Sequence, residues 1–208
     1  MSAPGPFQDK PAIRVDALSL ARGGRVLFED LSFAAEPGAY VELRGANGSG
    51  KTSLLRALAG FLKPRAGRIA YDNVAEPALA THFVGHANAL KPTASVRAHL
   101  SYWAGLFGGA PSEDYVFKCL GLTGLGNRPA RTLSQGQARR LALSRLLIAP
   151  RSVWLLDEPA AALDDEGRAV VGELVSAHCA QGGAITSVQI DNRSEERRVG
   201  KECRSRWS

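Results

Sequence analysis

The chain has 208 residues, 45% of them apolar and 22% charged, with a net charge of +6. That apolar share excludes a wholly disordered chain, and no run reaches the roughly 18 uncharged apolar residues of a membrane helix. Cys119, Cys179 and Cys203 are odd in number and widely spaced, which speaks against a disulfide framework or a zinc site and for a reducing compartment. Half of the charge excess sits in residues 193–208, with six basic and three acidic side chains, so the body is only mildly basic. No basic stretch is interleaved with aromatics, and no nucleic-acid partner is expected.

Residues 1–11 read as a loose leader, rich in proline and small residues and without the apolar core of a secretory signal. Residues 13–20 alternate as a strand, with Ile13, Val15, Leu18 and Leu20 on the apolar side and one slip in phase. Arg22-Gly23-Gly24-Arg25 predicts a turn, 26–33 a second strand, and 40–43 a short strand running straight into Gly45. Helical spacing over 52–61 puts Leu54, Leu55, Leu58 and Phe61 on one face. Strands follow at 68–71 and 82–85. From about Pro92 the texture turns helical: 95–107 with Ser95 as N-cap, 112–122, and 137–149. The continuous apolar run 152–156 predicts a buried strand, 166–181 a helix and 184–190 the last strand. This order implies a parallel α/β core carrying a helical lobe at about 90–150.

Gly45-Ala46-Asn47-Gly48-Ser49-Gly50-Lys51-Thr52, followed by Ser53, fits G-x-x-x-x-G-K-[ST] between a strand and a helix. Glycines let the backbone wrap close enough for its N–H groups to face phosphate oxygens, and the helix presents its positive end to the same anion. Lys51 can reach the β- and γ-phosphates and the Thr52 hydroxyl can sit on Mg²⁺, so ATP and Mg²⁺ are the expected ligands. Val153-Trp154-Leu155-Leu156-Asp157-Glu158 is an apolar strand ending in two acids: Asp157 suits the metal and Glu158 the polarisation of an attacking water. In Leu133-Ser134-Gln135-Gly136-Gln137, Ser134 and Gln137 form a capping box at a helix start. That helix N-terminus could itself be aimed at phosphate.

These motifs, with Ala162-Leu163-Asp164, stand in the order and spacing of an ABC-type ATPase, and the resemblance covers nearly all of residues 12–188, with the domain running to about 192. It implies a P-loop NTPase, a RecA-like parallel-sheet core with an antiparallel β lobe and a helical lobe. It further implies two cassettes facing head to tail, with Ser134, Gln135, Gly136 and Gln137 meeting the partner's nucleotide and Asp164 in the loop at the dimer seam. The branch that resembles it most is the ATP-binding subunit of the bacterial haem exporter serving cytochrome c maturation. The match rests on residues 22–28, on 52–56, and on Val84-Gly85-His86 followed by Leu90-Lys91-Pro92. The resemblance implies membrane permease partners and a peripheral place on the cytoplasmic face of the inner membrane. A soluble ABC ATPase outside transport and a nucleotide-binding regulator stay open as alternatives. The engine does not touch its cargo, so the transported molecule rests on resemblance alone.

Three positions depart from the family pattern. Arg22 stands where an aromatic commonly stacks on adenine, and a guanidinium plane can also stack on a base. His86 stands at the glutamine of the loop that couples the core to the helical lobe. Val188 stands where a switch histidine contacts the γ-phosphate; valine donates no hydrogen bond, so ATP binding with impaired hydrolysis is expected. Residues 193–208 are unlike the family's continuation and read as a non-native or disordered tail.

Overall fold

A computed structural model describes residues 7–109 and 112–190. Residues 1–6 of the predicted leader and the tail 193–208 lie outside them. The chain forms two compact units. One comprises Met1–Gly85, Ser152–Glu158 and Val175–Ser208; the other comprises His86–Arg151 and Pro159–Leu174.

The first unit holds two sheets. β1 (Ala12–Arg22), β2 (Arg25–Ala35) and β4 (Ala66–Asp72) form an antiparallel sheet in the order β2-β1-β4. The parallel sheet has the order β3-β7-β6-β5, from β3 (Tyr40–Gly45), β5 (Thr81–Val84), β6 (Val153–Asp157) and β7 (Ala184–Ile190). Every residue of β6 is buried, as its unbroken apolar run requires for a strand covered on both faces. Ile13, Leu18 and Leu20 of β1 share one core with Leu43, Leu155 and Val188 of the parallel sheet and with Leu54, Leu55 and Leu58 of α1 (Lys51–Leu58). A short α2 (Pro77–Ala80), which the sequence pattern did not suggest, precedes β5.

The slip in the apolar alternation of β1 is a β-bulge. The register shifts between Val15 and Leu18 against β2 and between Asp16 and Ser19 against β4. Ala17 takes φ 47°, and its amide donates to Ser32 Oγ at 2.9 Å. The extra residue restores Leu18 and Leu20 to the buried face. Gly67 lies against the bulge at φ +84°, where a Cβ would fall 2.3 Å from the Ala17 carbonyl oxygen.

The second unit is helical. α3 (Val96–Phe107) and α4 (Glu113–Cys119) start at Ser95 and Ser112, whose side chains accept from Ala98 and Tyr115 amides. α5 (Gln135–Leu143) and α6 (Arg145–Ile148) follow, and α7 (Asp165–Ala180) begins here and ends in the first unit. Val96, Leu100, Trp103, Val116, Leu141 and Ile148 form the core. The predicted helix 137–149 is corrected in two ways. It begins at Gln135, and it breaks at Ser144, whose buried hydroxyl donates to the Leu141 carbonyl at 2.7 Å and competes with the regular helical ladder. Among the described residues no helix is long and apolar enough to cross a membrane.

Candidate functional site

Strand β3 ends at Gly45, and the chain enters α1 through a tight loop. The Ser49 amide donates to the Ala46 carbonyl at 3.2 Å, and Gly48 and Gly50 take φ 79° and 99°. Gly50 is the N-cap of α1 and supplies no side chain to its first-turn amides. A helix start without a side-chain cap leaves N–H donors for an anion. Lys51 is only 6% exposed, and its ammonium donates to the carbonyls of Gly45 at 2.6 Å and Ala46 at 2.8 Å. The loop thereby holds its own lysine across its mouth. Ser49 Oγ is buried with no hydrogen-bond partner among the described residues, a polar atom that a phosphate oxygen would satisfy.

The strand tip of β6 meets this loop. The Thr52 hydroxyl donates to Asp157 Oδ2 at 3.0 Å and lies 3.3 Å from Oδ1. A hydroxyl and a carboxylate so placed are hard oxygen donors of the kind Mg²⁺ takes, so the residues fit that ion. Glu158 follows at φ 51°, a left-handed conformation unusual for a glutamate. Its amide is fixed by donation to the Val188 carbonyl at 3.0 Å. Arg22, Leu27, Asn47, Gly48, Gly50, Lys51, Thr52, Ser53, Glu158 and Val188 line one cleft of about 280 Å³. The first unit thus brings together residues read from the loop, the acidic strand tip, Arg22 and Val188. Val188 is itself 1% exposed and pairs with Leu43 and Asp157 in neighbouring strands.

The other candidates lie in the second unit. Ser134 is the N-cap of α5: its Oγ accepts from the Gln137 amide at 3.1 Å, while Gln137 Oε1 accepts from the Ser134 amide at 3.0 Å. The capping box is therefore complete, and Ser134 and Gln135 are exposed. A Cβ on Gly136 would sit 3.3 Å from the Ala162 carbonyl oxygen, so glycine there admits the segment leading to Asp164. Asp164 Oδ1 accepts from the Gly167 amide at 2.9 Å, which makes it the cap of α7. The resemblance had given that residue no local role; the spacing of an acid before a helix was the signal available. His86 is exposed and opens the second unit directly after β5 and Gly85. A larger cleft of about 410 Å³ in this unit, beside Arg97, Phe117 and Lys118, holds none of the motif residues.

Two groupings had no readable signal. In the second unit Arg139, 4% exposed, donates to the Pro159 carbonyl at 3.3 Å and to Asn88 Oδ1 at 3.2 Å. Arg145 donates to the Asn88 carbonyl at 3.0 Å and lies 4.6 Å from the centre of the Trp103 ring. Burial, and then the charge of Arg139, pull the Arg145 guanidinium down to about 10. In the first unit His178 stacks on Trp154 at 3.8 Å, and Phe7 meets the same imidazole edge-on at 5.1 Å.

The profile of the ABC transporter family matches residues 28–161. A cytochrome c biogenesis ATP-binding export protein CcmA of Hyphomonas neptunium is 43% identical over 181 residues, 87% of this chain and 91% of that protein. The CcmA of Bradyrhizobium diazoefficiens is 46% identical over 186 residues, covering 86% and 93%. Among solved structures, an ATP-binding subunit of an ABC transporter matches with TM-score 0.75 at 20% identity, covering 86% of this chain and 79% of that one. A bacterial Atm1-family ABC exporter with ATP bound matches with TM-score 0.76 at 23% identity, covering 90% of this chain and 36% of that one. These two likenesses support the fold; the CcmA relatives and the family profile go further, and on them the chain belongs to the ABC transporter family, among its CcmA-type ATP-binding proteins.

Proposed function

We propose that this chain is the ATP-hydrolysing subunit of a transporter that exports haem, or releases it from a chaperone, for cytochrome c assembly. The single observation that carries the hydrolytic part is the Thr52–Asp157 hydrogen bond, which sets a metal-binding pair between the phosphate loop and Glu158. In this reading Gly45, Ala46, Asn47, Gly48, Ser49, Gly50 and Ser53 wrap the triphosphate with backbone and hydroxyl donors. Lys51 exchanges its loop carbonyls for the β- and γ-phosphates, and Arg22 lies at the base. Glu158 holds the attacking water in line, its position set by the bond from its amide to Val188. Thr52 and Asp157 would hold Mg²⁺, which offsets the charge that builds on the transferred phosphoryl.

The second unit supplies the other half of the site to a twin cassette. Ser134 and Gly136 meet the γ-phosphate of the partner copy, with Gln135 and Gln137 completing the turn, and Asp164 lies at the seam. His86 couples the nucleotide state to permease subunits at the cytoplasmic face of the inner membrane. The CcmA relatives, named for cytochrome c biogenesis and export, support the pathway at 43% identity over most of both chains.

Complementation tests this. In cells lacking the resident ATPase of the pathway, the chain with its permease should restore covalent haem attachment to c-type cytochromes, and E158Q should not. Val188 favours a second reading, in which the chain binds ATP and regulates without turning over. Single-turnover hydrolysis separates the two.

A further inference from the structure

Two helices of the second unit start at residues that the proposed twin cassette would meet: α5 at Ser134 and α7 after Asp164. The segment from Pro159 to Asp164 ties these starts together. Gly136 and Arg139, one turn apart on α5, meet two backbone carbonyls of that segment. A Cβ on Gly136 would stand 3.3 Å from the Ala162 carbonyl oxygen, and Arg139 Nε donates to the Pro159 carbonyl at 3.3 Å. Ala162 turns the chain at φ 60°, a left-handed conformation that few residues with a Cβ take. Directly after that turn Leu163 is 3% exposed. Its Cδ2 lies 3.8 Å from the Cβ position of Gly136 on α5 and 3.2 Å from that of Gly167 on α7. Each helix thus offers a glycine to the same leucine. The Gly167 amide also donates to Asp164 Oδ1 at 2.9 Å, so the leucine is seated at the turn which that cap closes.

With no side chain on either helix at this point, one leucine fills the gap between two first turns. Close packing leaves two elements that share such a filler little freedom to move independently. We infer that Ala162 and Leu163 form a positioning wedge that fixes the starts of α5 and α7 against each other, so that Ser134 and Asp164 reach the twin cassette as one preassembled surface. The use of that surface rests on the two-cassette reading above; the wedge itself lies within one chain.

Amide hydrogen exchange in the full chain without nucleotide tests the wedge. A162V puts a β-branched residue where φ is positive, and L163A empties the wedge without touching the turn. In both, exchange should quicken about tenfold or more in residues 134–138 and 163–168 together, the scale of one strained residue or one emptied core site, while α3 stays within about twofold of the parent. A162G, which takes a positive φ freely, should leave both segments as in the parent. Quickening confined to 163–168, quickening spread equally to α3, or A162V indistinguishable from A162G overturns the wedge.

A second arm carries the wedge to function. In an E158Q background, chosen to hold ATP without turnover, ATP-dependent dimerisation should weaken about tenfold or more in A162V and L163A and stay within about threefold in A162G. Dimerisation unchanged in A162V and L163A, with exchange quickened as expected, overturns the preassembled surface. An E158Q chain that stays monomeric with ATP overturns the two-cassette reading instead, and exchange still decides the wedge.

Discussion

The Thr52 hydroxyl and the Asp157 carboxylate, 105 residues apart in the chain, lie 3.0 Å apart in the structure. Asp157 is 1% exposed, so this carboxyl group sits out of bulk water beside a donor rather than on the surface. D157N should leave Mg²⁺-free nucleotide binding within about threefold and lower Mg²⁺-dependent hydrolysis by a hundredfold or more, the scale of one lost electrostatic contact at a reacting phosphoryl. Titration of binding and of ATPase rate with Mg²⁺ separates the two effects. An unchanged Mg²⁺ dependence removes Asp157 from the metal.

Val188 is the second place where a single side chain can be set against the proposed chemistry. It lines the cleft beside Glu158 while its carbonyl accepts from the Glu158 amide. V188H keeps that backbone bond and adds a donor. Single-turnover hydrolysis should rise tenfold or more, at a cost of about 1–3 kcal/mol for a polar ring at a buried site. The gain should vanish in the V188H/E158Q pair. A rate that V188H does not lift would mean that the missing imidazole is not what limits this chain.

The capping box of α5 lets local stability and phosphate recognition be told apart at one residue. S134A removes the bond to the Gln137 amide and should cost about 1 kcal/mol. S134D keeps a cap of equal quality but places a carboxylate where the partner's γ-phosphate is proposed to sit. Its unfolding midpoint should match the parent, and its ATP-dependent dimerisation should be lost. Dimerisation unaffected by S134D would leave Ser134 as a cap and nothing more.

Acid should weaken the first unit through His178. Burial, the largest influence, and the nearby His82 hold this imidazole down to about 4, against its bond to the Ser152 backbone; Cys179, whose thiol burial pushes up, lies next to it in the chain. A folded-state value below the unfolded value of about 6.5 means the unfolded chain binds the extra proton between those limits. Stability is therefore intact above about pH 6.5 and falls towards pH 4, by about 2 kcal/mol between pH 7 and 5. In H178Q the baseline drops, because the stack on Trp154 goes, but the slope over this range should flatten. Urea midpoints at the two pH values for both chains measure it.

The phosphate loop and the acidic strand tip were legible because each is contiguous: eight residues fix one, and an apolar run ending in two acids fixes the other. The bond between them follows once both are laid on one parallel sheet. The kink in β1 was half legible. The phase slip after Val15 shows in sequence, but the carbonyl that demands Gly67 at the opposite strand does not. Arg139 and Arg145 read as ordinary helix arginines, since nothing local announces that Asn88 closes both. Nothing local marks His178 either: only strand pairing sets His82 against Trp154 and so beside the stacked His178.

The displaced residue at Ala17 bears on aim as much as on packing. Delete it, and Ile13, Val15, Leu18 and Leu20 would fall into one unbroken inward row, so the core would lose nothing by composition. What would change is pitch: a ladder without that swelling bends and winds less, and the arm carrying Arg22 would leave it along a straighter line. The direction of the hairpin that carries Arg22 is thus set by a single alanine five positions upstream, with every side chain lining the cleft left in place.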